Sequence, residues 1–164
     1  MKTAFSIYLG VFLLCGSAGG SDDAEREIRD LYRRGLAGNK PAVEECIAKL
    51  EAVLKTRLND ELARVYLGSA YTLRSRDLGF GPKKLQALKQ GLGLMDAAIA
   101  AAPNDPKIRL ARALTTSALP GIFARRPQSR QDFELLAKEA ERAPERFEQA
   151  DLTAIREHAS AVSR

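Results

Sequence analysis

An all-α fold of antiparallel helix pairs, about seven helices in all, is predicted by three observations. Apolar residues recur at three- and four-residue steps along almost all of the chain beyond its first ~20 residues. No stretch shows a sustained strand alternation. Alanine, leucine, arginine and glutamate dominate and tryptophan is absent, a mixture with high helix propensity.

Each element has its own sequence warrant. Asp22 and Glu25 suit a capping box, after which Ile28, Leu31 and Tyr32 share one helix face. Gly38-Asn39 breaks that helix, and Pro41 fits the first turn of the next. In the second helix Val43, Cys46, Ile47, Leu50, Val53 and Leu54 form the apolar stripe, and Glu44, Glu45, Lys49 and Glu51 face outward. Asn59-Asp60 starts a third helix bearing Leu62, Val65, Tyr66, Ala70 and Leu73. Gly79-Phe80-Gly81-Pro82 opposes its continuation.

A fourth helix is expected from about Lys83 to Ala101, carrying Leu85, Leu88, Leu92, Met95 and Ile99 as its apolar stripe. Asp105-Pro106 caps and starts a fifth, which is apolar on more than one side and therefore expected to be covered on both flanks. Leu119-Pro120-Gly121 stops it, and a loop follows from Pro120 to Gln128. Phe133, Leu136, Ala137 and Ala140 mark a sixth helix, and Pro144 is read as the start of a seventh. The pairs are then about 22–58, 59–103 and 105–143, with a terminal helix over 144–162. Each pair leaves an apolar face that the next pair covers, so the pairs stack.

The first residues read differently. Lys2 precedes an apolar run from Ala4 to Cys15, and Gly16-Ser17-Ala18-Gly19-Gly20 follows. Charge, apolar core and small-residue exit form the pattern of a secretory signal peptide, here 1–19, with cleavage after Ala18 or Gly19. The run is shorter than the ~20 apolar residues of a spanning helix, so no transmembrane helix is expected in the mature form. Leu13-Leu14-Cys15-Gly16 resembles the lipid-attachment motif of bacterial lipoproteins, although Leu14 stands where a small residue belongs. A lipid anchor at Cys15 is the alternative to a periplasmic or secreted protein. With Cys15 removed, Cys46 has no disulfide partner and is expected to be a buried, inert thiol.

Beyond the signal the domain is 20–164, and composition bounds the chain as a whole. Hydrophobic residues at 45% and charged residues at 29% are globular values. The formal net charge of +5 is spread along the chain, as in Arg33-Arg34, Lys83-Lys84 and Arg125-Arg126. That distribution describes a solvated helix surface, and no nucleic-acid partner is expected from it.

The segment from Ala63 to Tyr71, with Leu67, Gly68 and Tyr71 in place, resembles the first helix of a tetratricopeptide repeat. Asp96 to Asp105, with Ala98 as the small packing residue and Pro103 closing the helix, resembles the second. The likeness extends to an uncharacterised group of exported bacterial proteins of this type, carried by Tyr66-Leu67-Gly68, Ala98 to Pro103, Arg109, Leu119-Pro120 and Asp132-Phe133. It implies a short right-handed superhelix and no activity. The starts Asn59-Asp60 and Asn104-Asp105 lie 45 residues apart, against ~34 in the standard repeat. The surplus falls around Arg74 to Gln90 and implies a longer loop or a longer second helix.

Residues for catalysis are sparse. His158 is the one histidine, expected to be solvated near a helix end. Glu44-Glu45 point to different parts of a helix surface, and Gly79 to Lys84 lacks phosphate-loop spacing. Gly91-Leu92-Gly93 reads as a close-packing point or a bend. No enzyme activity, metal or cofactor is expected. Arg109, Arg112, Arg125, Arg126 and Arg130 are the notable group. They either pair with Asp96, Asp132 or Glu134 and pin the loop, or hold an acidic peptide or lipid headgroup.

The expected function is an exported binding or scaffold protein mediating protein–protein interaction with an envelope protein or peptide. Its candidate contacts are Tyr66, Ser69, Tyr71, Arg109, Arg112, Arg125 and Arg126. The alternative is a periplasmic solute-binding component for a small anionic ligand, which the arginine group motivates.

Overall fold

The computed structural model describes residues 19–120, 123 and 125–162, all helical or irregular, with no strand among them. Cys15, and the segment read as a signal peptide apart from Gly19, lie outside the described residues. The helices are α1 (Gly19–Leu36), α2 (Lys40–Thr56), α3 (Glu61–Asp77), α4 (Pro82–Ala101), α5 (Pro106–Ser117), α6 (Arg126–Arg142) and α7 (Gln149–Val162). Short connections and mutual packing make α1 and α2, α3 and α4, and α5 and α6 antiparallel pairs.

The helix ends follow the residue chemistry. Gly38, at φ 99°, lets the chain turn after α1. Its N–H reaches the Gly35 carbonyl at 3.0 Å and the Asn39 N–H reaches that of Arg34 at 3.0 Å, closing the last turn. The Asn39 side chain then accepts from the Ala42 N–H at 3.0 Å, and Asp60 from that of Ala63 at 2.8 Å. Asp105 accepts from Lys107 and Ile108 at 2.8 and 3.4 Å. These caps satisfy donors that a helix start leaves open.

Three boundaries differ from the sequence reading, and one open alternative is decided. α1 begins at Gly19, so Asp22 sits in its first turn and not at the cap. α6 begins at Arg126, with Pro127 in its first turn, which shortens the loop expected to reach Gln128. Pro144–Arg146 forms one tight 3-10 turn and Phe147 is extended, so α7 starts at Gln149 and not at Pro144. The surplus after Leu73 is helix: α4 is 20 residues long, and only 78–81 lie between it and α3.

Helix α3 is the centre of the molecule. Val65 to Leu73 are buried without interruption, because α1, α2, α4 and α5 all pack on it. Its contact with α4 is backbone against backbone. A Cβ on Gly68 would lie 2.6 Å from the Gly91 carbonyl oxygen, and one on Gly91 would lie 2.5 Å from that of Gly68 and 2.7 Å from the Thr72 nitrogen. Ser69 meets the Met95 sulfur beside this crossing, at 3.4 Å. The buried hydroxyl of Thr72 returns to the Gly68 carbonyl at 2.9 Å, so it is satisfied within its own helix.

Helix α5 divides two cores. Ile108 and Ala111 join the large one built on α1 to α4. Leu110, Ala113 and Leu114 join a smaller one with Phe133, Leu136, Phe147 and Ile155. That division explains why its sequence is apolar on more than one side. Cys46 is fully buried in the large core, where burial pushes its thiol up to about 12. His158 is half-buried and stacks on Phe133, ring centroids 4.3 Å apart, in place of the solvated position expected.

The glycines of α4 give a paired test. Gly91→Ala places a methyl group against the backbone of α3 and is expected to cost about 2–3 kcal/mol or more by denaturant unfolding. A Cβ on Gly93 would meet nothing within 4 Å, so Gly93→Ala is expected to stabilise by about 0.5–1 kcal/mol.

Candidate functional site

Two charge clusters stand out, and both join helices that are distant in sequence. The first is centred on Asp132 of α6, which is 1% exposed. Arg112 of α5 grips it as a fork, Nε to Oδ2 at 2.9 Å and Nη2 to Oδ1 at 2.8 Å. Arg109, one turn earlier, reaches Oδ1 at 2.9 Å and also bonds the Pro103 carbonyl. Arg112 continues to Asp96 of α4 at 3.5 Å, and Arg125 holds Asp96 at 3.0 and 3.2 Å. Gln128 completes the group, bonded to Arg125 at 2.8 Å.

Of the arginines singled out from sequence, three therefore converge on two carboxylates and fasten the start of α6 to α4 and α5. Their guanidinium faces are turned inward to those partners. Arg126 is exposed in the first turn of α6, apart from the cluster.

The second cluster closes a cleft between α1, α3, α5 and the start of α7. Tyr32 of α1 forms its floor, its hydroxyl donating to the Ala111 carbonyl and lying within hydrogen-bond distance of the Thr115 hydroxyl, both at 3.0 Å. Tyr66 of α3 packs against it, ring centroids 5.1 Å apart and tilted 59°. Burial pushes both phenols far above their ordinary range, so neither acts as an acid near neutrality.

Over that floor Arg29 bonds Glu148 at 2.6 Å, and Arg33 bonds Glu148 and Asp151 at 2.8 and 2.9 Å. Lys107 meets Glu25 at 3.2 Å, and Phe147 lines the wall. The remaining volume, about 30 Å³, is that of a single water. The Arg33 guanidinium bonded to Glu148 holds its carboxyl below the usual carboxylate range.

The other sequence candidates sit elsewhere. Ser69 is fully buried against Met95, and its side chain has no open face. Tyr71 is buried at the α2–α3 contact, its hydroxyl on Glu51 and the Arg74 guanidinium 5.5 Å above its ring. A cavity of about 140 Å³ lies where α3 and α4 meet the segment after α5. Its cations are engaged on backbone: Arg76 bonds the Gly35 carbonyl at 2.9 Å, and Lys84 that of Leu78 at 3.3 Å. That volume is well below the ~300 Å³ of small ligand pockets.

Sequence reasoning missed the closing residues Arg29, Arg33, Phe147, Glu148 and Asp151. Arg29 and Arg33 lie four apart on one helix face, and Phe147-Glu148 precedes Asp151. Those local patterns were available, but the pairing spans 115 and 118 residues. Among the described residues no group of three or more histidine, cysteine, aspartate or glutamate side chains could hold a metal ion. No helix of the described residues is long and apolar enough to cross a membrane. Compared with family models, with curated proteins and with solved structures, the chain matches none.

Asp132→Ala leaves Arg112 buried without its counter-charge, and it is expected to cost about 3 kcal/mol or more in chemical denaturation. Glu148 gives a pH test. Its folded carboxyl titrates below the unfolded value of about 4.3, so its contribution is complete above that pH and is lost as pH falls through the folded value. Solvent screening keeps that contribution under about 1 kcal/mol. Glu148→Gln is thus expected to lower Tm by a few degrees at pH 7. The gap from wild type should close below about pH 4.

Proposed function

We propose that this chain is an exported, non-catalytic binding module of tetratricopeptide type, whose α1–α3–α5 face holds an acidic, aromatic-bearing segment of a partner protein in the cell envelope. One observation carries the reading. The face is covered by the chain's own segment from Phe147 to Asp151, and Arg29 and Arg33 grip the two carboxylates over a floor of tyrosines. An internal occupant displays the chemistry that a face recognises: an aromatic ring followed by carboxylates one turn apart. Guanidinium forks suit such carboxylates, and tyrosines supply rigid contact area.

Three further features support the reading. Stacked helix pairs generate extended binding surfaces. The resemblance at Leu67, Gly68 and Tyr71 belongs to the helix type whose small residue permits the close approach found at Gly68. The order of Lys2, the Ala4–Cys15 run and the small residues after it supports export. The anionic-solute alternative rested on the arginine group, whose Arg109, Arg112 and Arg125 are each already paired with Asp96 or Asp132.

The internal segment competes with any partner. A tethered occupant acts at an effective concentration on the order of millimolar, so it masks weaker ligands. The test uses a labelled synthetic peptide of residues 144–155. The full chain carrying Glu148→Ala and Asp151→Ala is expected to bind it at least about tenfold more tightly than wild type, since the competitor is weakened. Arg29→Ala with Arg33→Ala in that background removes the gain. Equal binding to wild type and variant, or none to either with helicity intact, overturns the reading.

A further inference from the structure

The turn between α3 and α4 carries the most exposed large apolar side chain of the described residues. Phe80 is 99% exposed, and Leu85, in the second turn of α4, is 56% exposed. A phenylalanine wholly in water at a loop tip contributes nothing to the core. Gly79 and Gly81 flank it, and Gly81 takes φ 157° at the start of α4.

The charges along the segment that follows α3 are of one sign. From Leu78 to Met95 there is no acidic residue and no arginine, and the cations are Lys83, Lys84 and Lys89. Lys83 lies in the first turn of α4 beside the tip, and Lys89 follows Leu85 by one turn on the same exposed face. Neither makes an ion pair among the described residues. Lys84 is drawn back onto the Leu78 carbonyl. Glu44 is paired with Arg74, and Asp77 meets Arg76 at 3.6 Å and Lys40 at 4.0 Å through Oδ1 alone, its buried Oδ2 having no hydrogen-bond partner among the described residues.

We propose that this turn is a membrane-surface contact, in which Phe80 and Leu85 enter the interfacial layer of an anionic bilayer and Lys83 and Lys89 meet the lipid phosphates. Two features favour a lipid surface over a protein partner. Protein interface cores are enriched in arginine and depleted in lysine, the reverse of this segment. An aromatic ring with flexible lysines and no surrounding rim of packed residues lacks the walls that a protein hot spot requires, whereas a lipid surface needs none. Lysines near an anionic leaflet each add affinity, and a single ring makes the contact reversible.

The chain has no tryptophan, so Phe80→Trp in the full chain reports on this site alone. Its emission is expected to shift to the blue on phosphatidylglycerol-containing vesicles and to be quenched by brominated acyl chains. Pure phosphatidylcholine vesicles and inorganic phosphate should leave it unchanged. Lys83→Gln with Lys89→Gln should weaken the vesicle titration about twentyfold. Leu58, 72% exposed before α3, lies about 25 Å along that helix from the tip. Leu58→Trp therefore controls for vesicle binding through the apolar N-terminal run and should show no shift. An unshifted Phe80→Trp spectrum on anionic vesicles, an equal shift on neutral ones, or an equal shift at Leu58→Trp overturns the proposal.

Discussion

The contact on which the rest of the molecule depends is the backbone crossing of α3 and α4 at Gly68 and Gly91. Each glycine lies where a Cβ would overlap the other helix's carbonyl oxygen. Helices that approach this closely leave no room between them, so the side chains around the crossing must bury outward against other helices. Tyr66 and Ser69 are directed to α1 and α4, and Val65 and Leu73 to the large core. A helix buried on every side cannot be displaced without disturbing four neighbours. That makes α3 the fixed frame on which α1, α2 and α5 are placed.

On that frame, charge does what apolar contact cannot. The two cores meet only at α5, and few apolar residues tie the last two helices to the first four. Asp132 and Asp96 link α4, α5 and α6 through shared arginines, while Glu148 and Asp151 link α7 back to α1. The first group is buried and therefore sensitive to loss of either partner. The second is solvated at its edge and correspondingly weaker. The small domain thus carries one strong and one weak charged joint. The tip at Phe80 lies outside both joints, in the turn between α3 and α4.

Most of the local structure was legible because it rests on short-range rules. The caps at Asn39, Asp60 and Asp105 sit where a side-chain oxygen can reach an open N–H two or three residues on. The stripe from Val43 to Leu50 is buried as its spacing requires. Where the reading slipped, a local rule had a competitor. Pro144 is compatible with a helix start, yet the extended conformation of Phe147 is chosen by its packing in the smaller core. His158 reads as solvated from its charged neighbours, yet the Phe133 ring it stacks on belongs to another helix.

By itself, then, the sequence determined the all-helical class, the number of helices and most of their ends, and it left Gly91 as either a close-packing point or a bend, which the contact with Gly68 decides. Periodicity, capping and glycine spacing act within one or two turns, and a linear pattern records them. Only the tertiary structure decided which charges meet. Arg109, Arg112 and Arg125 were legible as a group with two possible fates, and folding gave them Asp132 and Asp96. Arg29 and Arg33 were not read as a site, because their partners Glu148 and Asp151 arrive from the other end of the chain. Any exposed carboxylate can pair with any arginine, and the choice among them is made by the backbone path that brings two helix faces within 3 Å of each other.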